Sequence, residues 1–142
     1  MTTDTGEDPS LASLEDPYDI TSLTLEEINA DPPLEDIHFA YDSAVLTDEV
    51  RATLDAHADW LLRYSTVTVL IEGHCDERGT VEYNLALGER RANAAFGYLT
   101  SLGVSADRMR TISYGKESPL DPGHNEEAWA RNRRGHFQIT AK

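Results

Sequence analysis

The 142-residue sequence holds one cysteine, no lysine or arginine in its first 36 positions, and no long apolar run. Each shortage excludes something. A single thiol, Cys75, cannot make an internal disulfide. The apolar stretch over 67–71 is far too short to cross a bilayer. The N-terminus has neither the basic region nor the apolar segment of a secretory signal, so the chain is expected to be cytosolic or a mature or trimmed form. There is no Walker loop, no G-x-G-x-x-G, no G-x-S-x-G, and no C-x-x-C or H-E-x-x-H ligand pair. No catalytic residue, metal site or cofactor is expected, and the reading is of a protein that is not an enzyme.

What is there is acid. The net charge of −14 is concentrated at the front, where residues 1–36 carry eleven Asp and Glu. From Ile37 onward fifteen acids face twelve bases, so the remainder is nearly balanced. Nothing offers the basic face that nucleic acid requires. Four prolines, many acids and few aromatics mark 1–35 as a flexible acidic tether, leaving 36–142 as one domain large enough for a real core. Within the tether, Thr24-Leu25-Glu26-Glu27-Ile28 has a cap residue, a first-turn acid and spaced apolars, which suit equally a short helix that docks on the domain or a partner and a fluctuating turn in a linker.

In the domain, alternation over 37–41 predicts a strand with Ile37, Phe39 and Tyr41 on one face. Thr47 caps a helix reaching about residue 64, with Val50, Leu54, His57, Ala58 and Leu61 as its inward stripe. His57 is expected to be a core histidine with a satisfied hydrogen bond. The β-branched run 66–72, apolar on both faces toward its end, suits a central strand. A second helix over 84–102 buries Ala92, Ala95, Phe96, Leu99 and Leu102 and stops at Gly103. A third strand over 108–114 follows, parallel to the second through a right-handed crossover. A short helix capped by Asn125 and a last strand over 134–140 complete the order β-α-β-α-β-α-β. The fold class is an α/β sandwich with helices on one face of a mixed four-stranded sheet.

The chemistry concentrates in Gly73-His74-Cys75-Asp76-Glu77-Arg78-Gly79-Thr80 and the helix behind it. Glu72, His74, Cys75 and Asp76 resemble metal ligands in composition only, because neighbours at a strand end point to opposite faces. In a parallel α/β unit ligands collect where strand ends meet helix starts. Asp76 lies just past such an end, and Gly79 permits an unusual turn. Asn84, Leu87, Gly88 and Arg91 share one helical face. Gly88 costs about 1 kcal/mol against alanine in a helix, which points to a close approach on that face. An aspartate holds an ammonium and a guanidinium holds a carboxylate, so the pair suits the free amino-acid end of a ligand. Spacing alone equally allows a plain Asp76–Arg91 salt bridge.

Several motifs then coincide: Phe39-Ala40-Tyr41-Asp42-Ser43, Glu72-Gly73-His74-Cys75-Asp76-Glu77-Arg78-Gly79-Thr80, Glu82-Tyr83-Asn84, Leu87-Gly88-Glu89-Arg90-Arg91-Ala92-Asn93-Ala94, Ser113-Tyr114-Gly115-Lys116-Glu117 and Asn132-Arg133-Arg134. Together, over about 36–140, they resemble the OmpA C-terminal domain family, most nearly its peptidoglycan-associated lipoprotein branch. The resemblance implies a periplasmic domain that binds peptidoglycan noncovalently through the diaminopimelate of the stem peptide. It implies that Asp76 and Arg91 take that residue's ammonium and carboxylate, with Asp42 and Asn84 in the same site. A last-strand arginine of the family matches Arg133 or Arg134, and Arg78 and Leu87 line the same cleft by position. That branch works with the Tol system, including TolB, and is anchored in the outer membrane by a lipidated cysteine. Cys75 lies mid-domain and cannot be that anchor, so membrane attachment is expected only of the full-length protein. Two alternatives stay open: a module of the same fold whose main ligand is a protein, TolB or a motor stator partner, and an enzyme acting on wall peptides, which would need Cys75 or His74.

Overall fold

The computed structural model describes residues 20–142, and the acidic stretch 1–19, most of the expected tether, lies outside the described residues. The chain divides into two units after Pro33. In the first, the helix α1 (Leu25–Ala30) forms at the capped segment, in place of a linker turn. Thr24 Oγ1 accepts the Glu27 amide at 3.1 Å while the Glu27 carboxylate accepts the Thr24 amide at 2.9 Å. This reciprocal box satisfies two of the donors a helix start leaves open.

The second unit runs β1 (Ile37–His38), α2 (Asp48–Arg63), β2 (Thr68–His74), α3 (Val81–Ser101), a 3-10 turn (Ala106–Arg108), β3 (Met109–Gly115), α4 (Glu126–Asn132) and β4 (Arg134–Ala141). The sheet order is β1-β4-β2-β3. Strands β2 and β3 are parallel, as the crossover helix requires, whereas β4 is antiparallel to both β2 and β1. The sheet is therefore mixed, with β2 in the interior. Helix starts follow the sequence: Thr47, Thr80 and Asn125 each accept a backbone amide three residues on, at 3.2, 3.0 and 2.9 Å.

Both long helices cover one face. Ile71 of β2 pairs in register with Phe137 of β4, whose ring meets the His57 ring of α2 edge-on at 5.0 Å. On the same face of β2, Gly73 touches Gly88 of α3. Val69, Ile71, Phe137 and Ile139 are buried there against Leu54, Leu61, Ala92, Ala95 and Leu99. His57 is a core histidine whose Nε2 bonds the Glu35 carbonyl at 2.8 Å.

Three local expectations change. Strand β2 alternates between buried and half-buried residues as far as Gly73, so only one of its faces lies in the core until its end, where Gly73 and His74 are both buried. On α3, Phe96 is only half-buried, and Leu102 caps the helix and is exposed, because the chain turns away at Gly103, φ 104°. Strand β1 ends at His38, and Tyr41, expected inside with Ile37 and Phe39, is 61% exposed. The chain bends after Phe39 and passes through Asp42 at φ 55°, a left-handed conformation that aspartate tolerates better than most residues.

So short an edge strand needs other fastening. The Phe39 amide donates to the Arg133 carbonyl at 2.9 Å, and the Phe39 carbonyl accepts Arg133 Nε at 2.9 Å. Asp36 accepts from His136 at 2.7 Å and from Arg134 at 3.2 Å, both on β4. The Asp36 hydrogen bond, with its charge and that of Glu72 against burial and Arg134, raises the His136 pKa. A raised histidine stabilises the fold fully below about pH 6.5 and loses that contribution as pH rises through its folded value. His57 works in the opposite sense, since burial lowers its pKa and disfavours the fold below about pH 6.5. Comparing wild type with His136→Gln separates the two: the gap in melting temperature is expected to be wide at pH 5.5 and to shrink by pH 8.5. A gap independent of pH overturns the assignment.

Candidate ligand-binding site

The packing of α3 on β2 sets the site. A Cβ on Gly73 would lie 1.8 Å from the Gly88 carbonyl oxygen, and one on Gly88 2.2 Å from Ser113 Oγ. The close approach signalled by Gly88 is thus that of the sheet itself. It brings the first three turns of α3 against the ends of β2 and β3. A small cleft of about 330 Å³, measured out to open solvent, lies there. Tyr41 and Asp42 line it from the β1 side, Cys75, Asp76, Arg78 and Gly79 from the turn after β2, and Tyr83, Asn84, Leu87 and Arg91 from α3.

Asp76 is 4% exposed. Arg78 holds it with a two-pronged contact, Nε to Oδ1 at 3.2 Å and Nη2 to Oδ2 at 2.8 Å, and adds its backbone amide to Oδ1 at 3.0 Å. Arg133 Nη1 stands 3.6 Å from Oδ2. Burial by itself would raise the Asp76 pKa. The bonds from Arg78 and the charges of Arg78 and Arg133 overcome it and leave the carboxyl below its ordinary value. Asp76 is therefore a carboxylate at neutral pH.

Arg91 does not pair with Asp76. Its guanidinium, 1% exposed, donates to three backbone carbonyls: Nε to Ser43 at 2.8 Å, Nη1 to His74 at 2.9 Å and Nη2 to Ala40 at 3.1 Å. Burial lowers its pKa, and Cys75 and Asp76 act against that. These bonds tie α3, the end of β2 and the loop before Asp42 together. Each terminal nitrogen carries a second N–H beyond the one committed to a carbonyl.

Asn84 gives both amide hydrogens to carbonyls, Arg78 at 2.8 Å and Thr80 at 3.0 Å, so it shapes the turn and leaves Oδ1 as its acceptor. Asp42 is bonded by the Tyr83 hydroxyl. Leu87 is buried as the apolar floor, and the Cys75 thiol, its pKa raised by burial, donates to the Asn84 carbonyl at 3.3 Å. Of the two arginines matched to the family's last-strand position, only Arg133, just before β4, reaches Asp76, and it does so without lining the cleft. Its Nε and Nη2 bond Phe39 and Glu126, while Nη1, beside Asp76, is buried without a hydrogen-bond partner. Arg134 pairs with Asp36 and does not line the cleft, because successive residues entering β4 point to opposite sides.

Sequence reasoning missed the aromatic walls. The Arg78 guanidinium lies over the Tyr41 ring and over the Trp129 ring, 4.1 Å from each centroid. Each such contact is worth about 0.5–2 kcal/mol. Trp129 is in α4, remote in sequence, and no local pattern connects it to Arg78. Tyr83 was visible only as part of a motif.

The model of the OmpA family matches residues 38–133. The chain belongs to the OmpA family. Among curated OmpA-family relatives, the peptidoglycan-associated lipoprotein of Rhizobium meliloti is 53% identical over 98 residues, covering 69% of this chain and 56% of that protein. The corresponding lipoprotein of Haemophilus influenzae is 49% identical over 98 residues, covering 69% and 64%. This chain thus spans about six-tenths of the length of the relatives it matches. The crystal structure of the peptidoglycan-associated lipoprotein from Burkholderia pseudomallei superposes with a TM-score of 0.72 at 43% identity, covering 74% of this chain and 89% of that one. The family match spans the β1 loop, the β2–α3 turn and α3, the segments that make the cleft.

Proposed function

We propose that the cleft binds peptidoglycan noncovalently, taking the diaminopimelate end of a stem peptide, and that the protein anchors an outer membrane to the wall without catalysing a reaction. The carrying observation is a buried carboxylate, Asp76, set in one cleft with the N–H groups of Arg91, and backed from outside the cleft lining by Arg133 Nη1 at 3.6 Å. An ammonium at Asp76 and a carboxylate at the guanidinium groups satisfy both signs on one stereocentre, and charge-assisted bonds of this kind are the strong ones. Asp42 and the Asn84 Oδ1 offer further acceptors for the ammonium side. Arg78, already on Asp76, and Leu87 complete the wall. The kinship with proteins named peptidoglycan-associated lipoproteins supports this ligand class, and it extends to a Tol–Pal-like role, with TolB as a partner, in a full-length protein held in the outer membrane and facing the periplasm.

Purified sacculi are expected to retain the protein in a pull-down, and free meso-diaminopimelate to release it in a concentration-dependent way. Release by cadaverine, which has ammonium ends and no carboxylate, at the same concentration would show that the ammonium alone suffices. Retention indifferent to diaminopimelate would overturn the reading and favour the protein-binding alternative.

A further inference from the structure

Glu77, next to Asp76, points away from the cleft and is engaged with a different element. Its Oε2 accepts the Trp129 indole N–H at 2.8 Å, and His124 Nδ1 lies 2.8 Å from both carboxylate oxygens. Trp129 in turn lies against the Arg78 guanidinium at 4.1 Å, and Arg78 holds Asp76 by its two prongs. A planar guanidinium on a long, flexible stem has many rotamers, and Arg78 is only half-buried. It is confined between two rings, of which Tyr41 is largely exposed and is hydrogen-bonded to nothing among the described residues. The Trp129 wall is the one fixed at its edge.

We infer that Glu77 is a positioning residue for the binding site: by holding the Trp129 indole N–H it sets the ring that locks Arg78 in its two-pronged grip on Asp76. This deepens the peptidoglycan reading and rests on it for its effect on affinity, whereas the geometric part stands without a ligand. The site's acid is then oriented from three directions, through the turn backbone, through Arg78, and through an α4 ring clamped by the residue next in sequence to that acid. Glu77 touches no ligand in this scheme. Its effect on Arg78 passes through the Trp129 N–H and not through the His124 contact, so that effect vanishes when the N–H is absent.

The test is a cycle among wild type, Glu77→Ala, Glu77→Gln, Trp129→Phe and the Glu77→Ala/Trp129→Phe double variant. Two readouts are taken on the whole chain: 1H–15N spectra of the indole and arginine Nε–H groups, and the Kd for purified sacculi. Glu77→Ala is expected to shift the Trp129 indole signal upfield and to speed solvent exchange of the Arg78 Nε–H. It should weaken sacculus binding roughly three- to tenfold. Glu77→Gln keeps an acceptor oxygen and should restore at least half of the affinity. In the Trp129→Phe background Glu77→Ala should cost no further affinity, which a merely structural role would not reproduce. An unchanged Arg78 Nε–H exchange rate in Glu77→Ala, or an equal loss of affinity in both backgrounds, overturns the proposal. If wild type itself is not retained by sacculi, the wall-binding reading falls on its own, and the Nε–H exchange still decides whether Glu77 positions Arg78.

Discussion

Asp76→Asn is expected to weaken binding to sacculi roughly thirty- to a thousand-fold, about 2–4 kcal/mol, with the fold retained. The amide keeps the shape of the carboxylate and can still accept from Arg78. It loses the charge that neutralises Arg78 and Arg133 and that would meet a ligand ammonium. Repulsion between those two guanidinium groups then disfavours an incoming cation. Asparagine is a cleaner test than any change at Arg91, because removing the Arg91 side chain strands the carbonyls of Ala40, Ser43 and His74 and loosens the loop that carries Asp42. Acid should imitate the substitution. With its pKa lowered, Asp76 keeps its charge until the pH falls below the ordinary aspartate value of 3.8, so binding should hold to that point and fade below it. Wild-type affinity in Asp76→Asn at pH 7 would exclude Asp76 as a ligand group.

The second large effect is on the fold. Gly73→Ala is expected to cost roughly 3 kcal/mol or more, and a melting temperature lower by about 10 °C or more, since its Cβ would sit 1.8 Å from the Gly88 carbonyl oxygen. That neighbour is helix backbone, so relief requires moving α3 away from β2 by about an ångström or more. The movement would displace Asn84, Leu87 and Arg91 from the cleft as well, so affinity should fall in protein that remains folded. Gly97 supplies the control on the same helix. It is exposed, an added methyl would meet nothing within 4 Å, and Gly97→Ala should stabilise by about 0.5–1 kcal/mol. Urea midpoints for the three proteins check both signs. A Gly73→Ala variant melting at the wild-type temperature would show that the contact yields easily.

Much of this protein is local in origin and was legible in the sequence. The caps at Thr24, Thr47, Thr80 and Asn125, the β-branched run of β2 and the stop at Gly103 each depend on neighbours within one or two turns, and the four strands and the parallel crossover follow from such local signals. The pair Asp76 and Arg91 was also legible, because a strand end and the next helix face must meet in a β-α unit. What the pair does was not. Spacing allowed a salt bridge, and only the tertiary structure shows Arg91 bonded to three carbonyls while Asp76 pairs with Arg78 and Arg133. It also separates Arg133 from Arg134, which a sequence treats alike, by the side of the chain each faces. Tyr41 was misplaced because alternation cannot reveal that the strand stops at His38, where long-range bonds from Arg91 and Arg133 redirect the chain. The contact between Trp129 and Glu77 was invisible for the same reason: 52 positions separate them, and their hydrogen bond exists only once α4 is folded back against the turn after β2. By itself the sequence determined the elements, their order and the acid and base at the strand end. Which charges touch, and which ring holds them in place, depended on contacts between segments that no local pattern encodes.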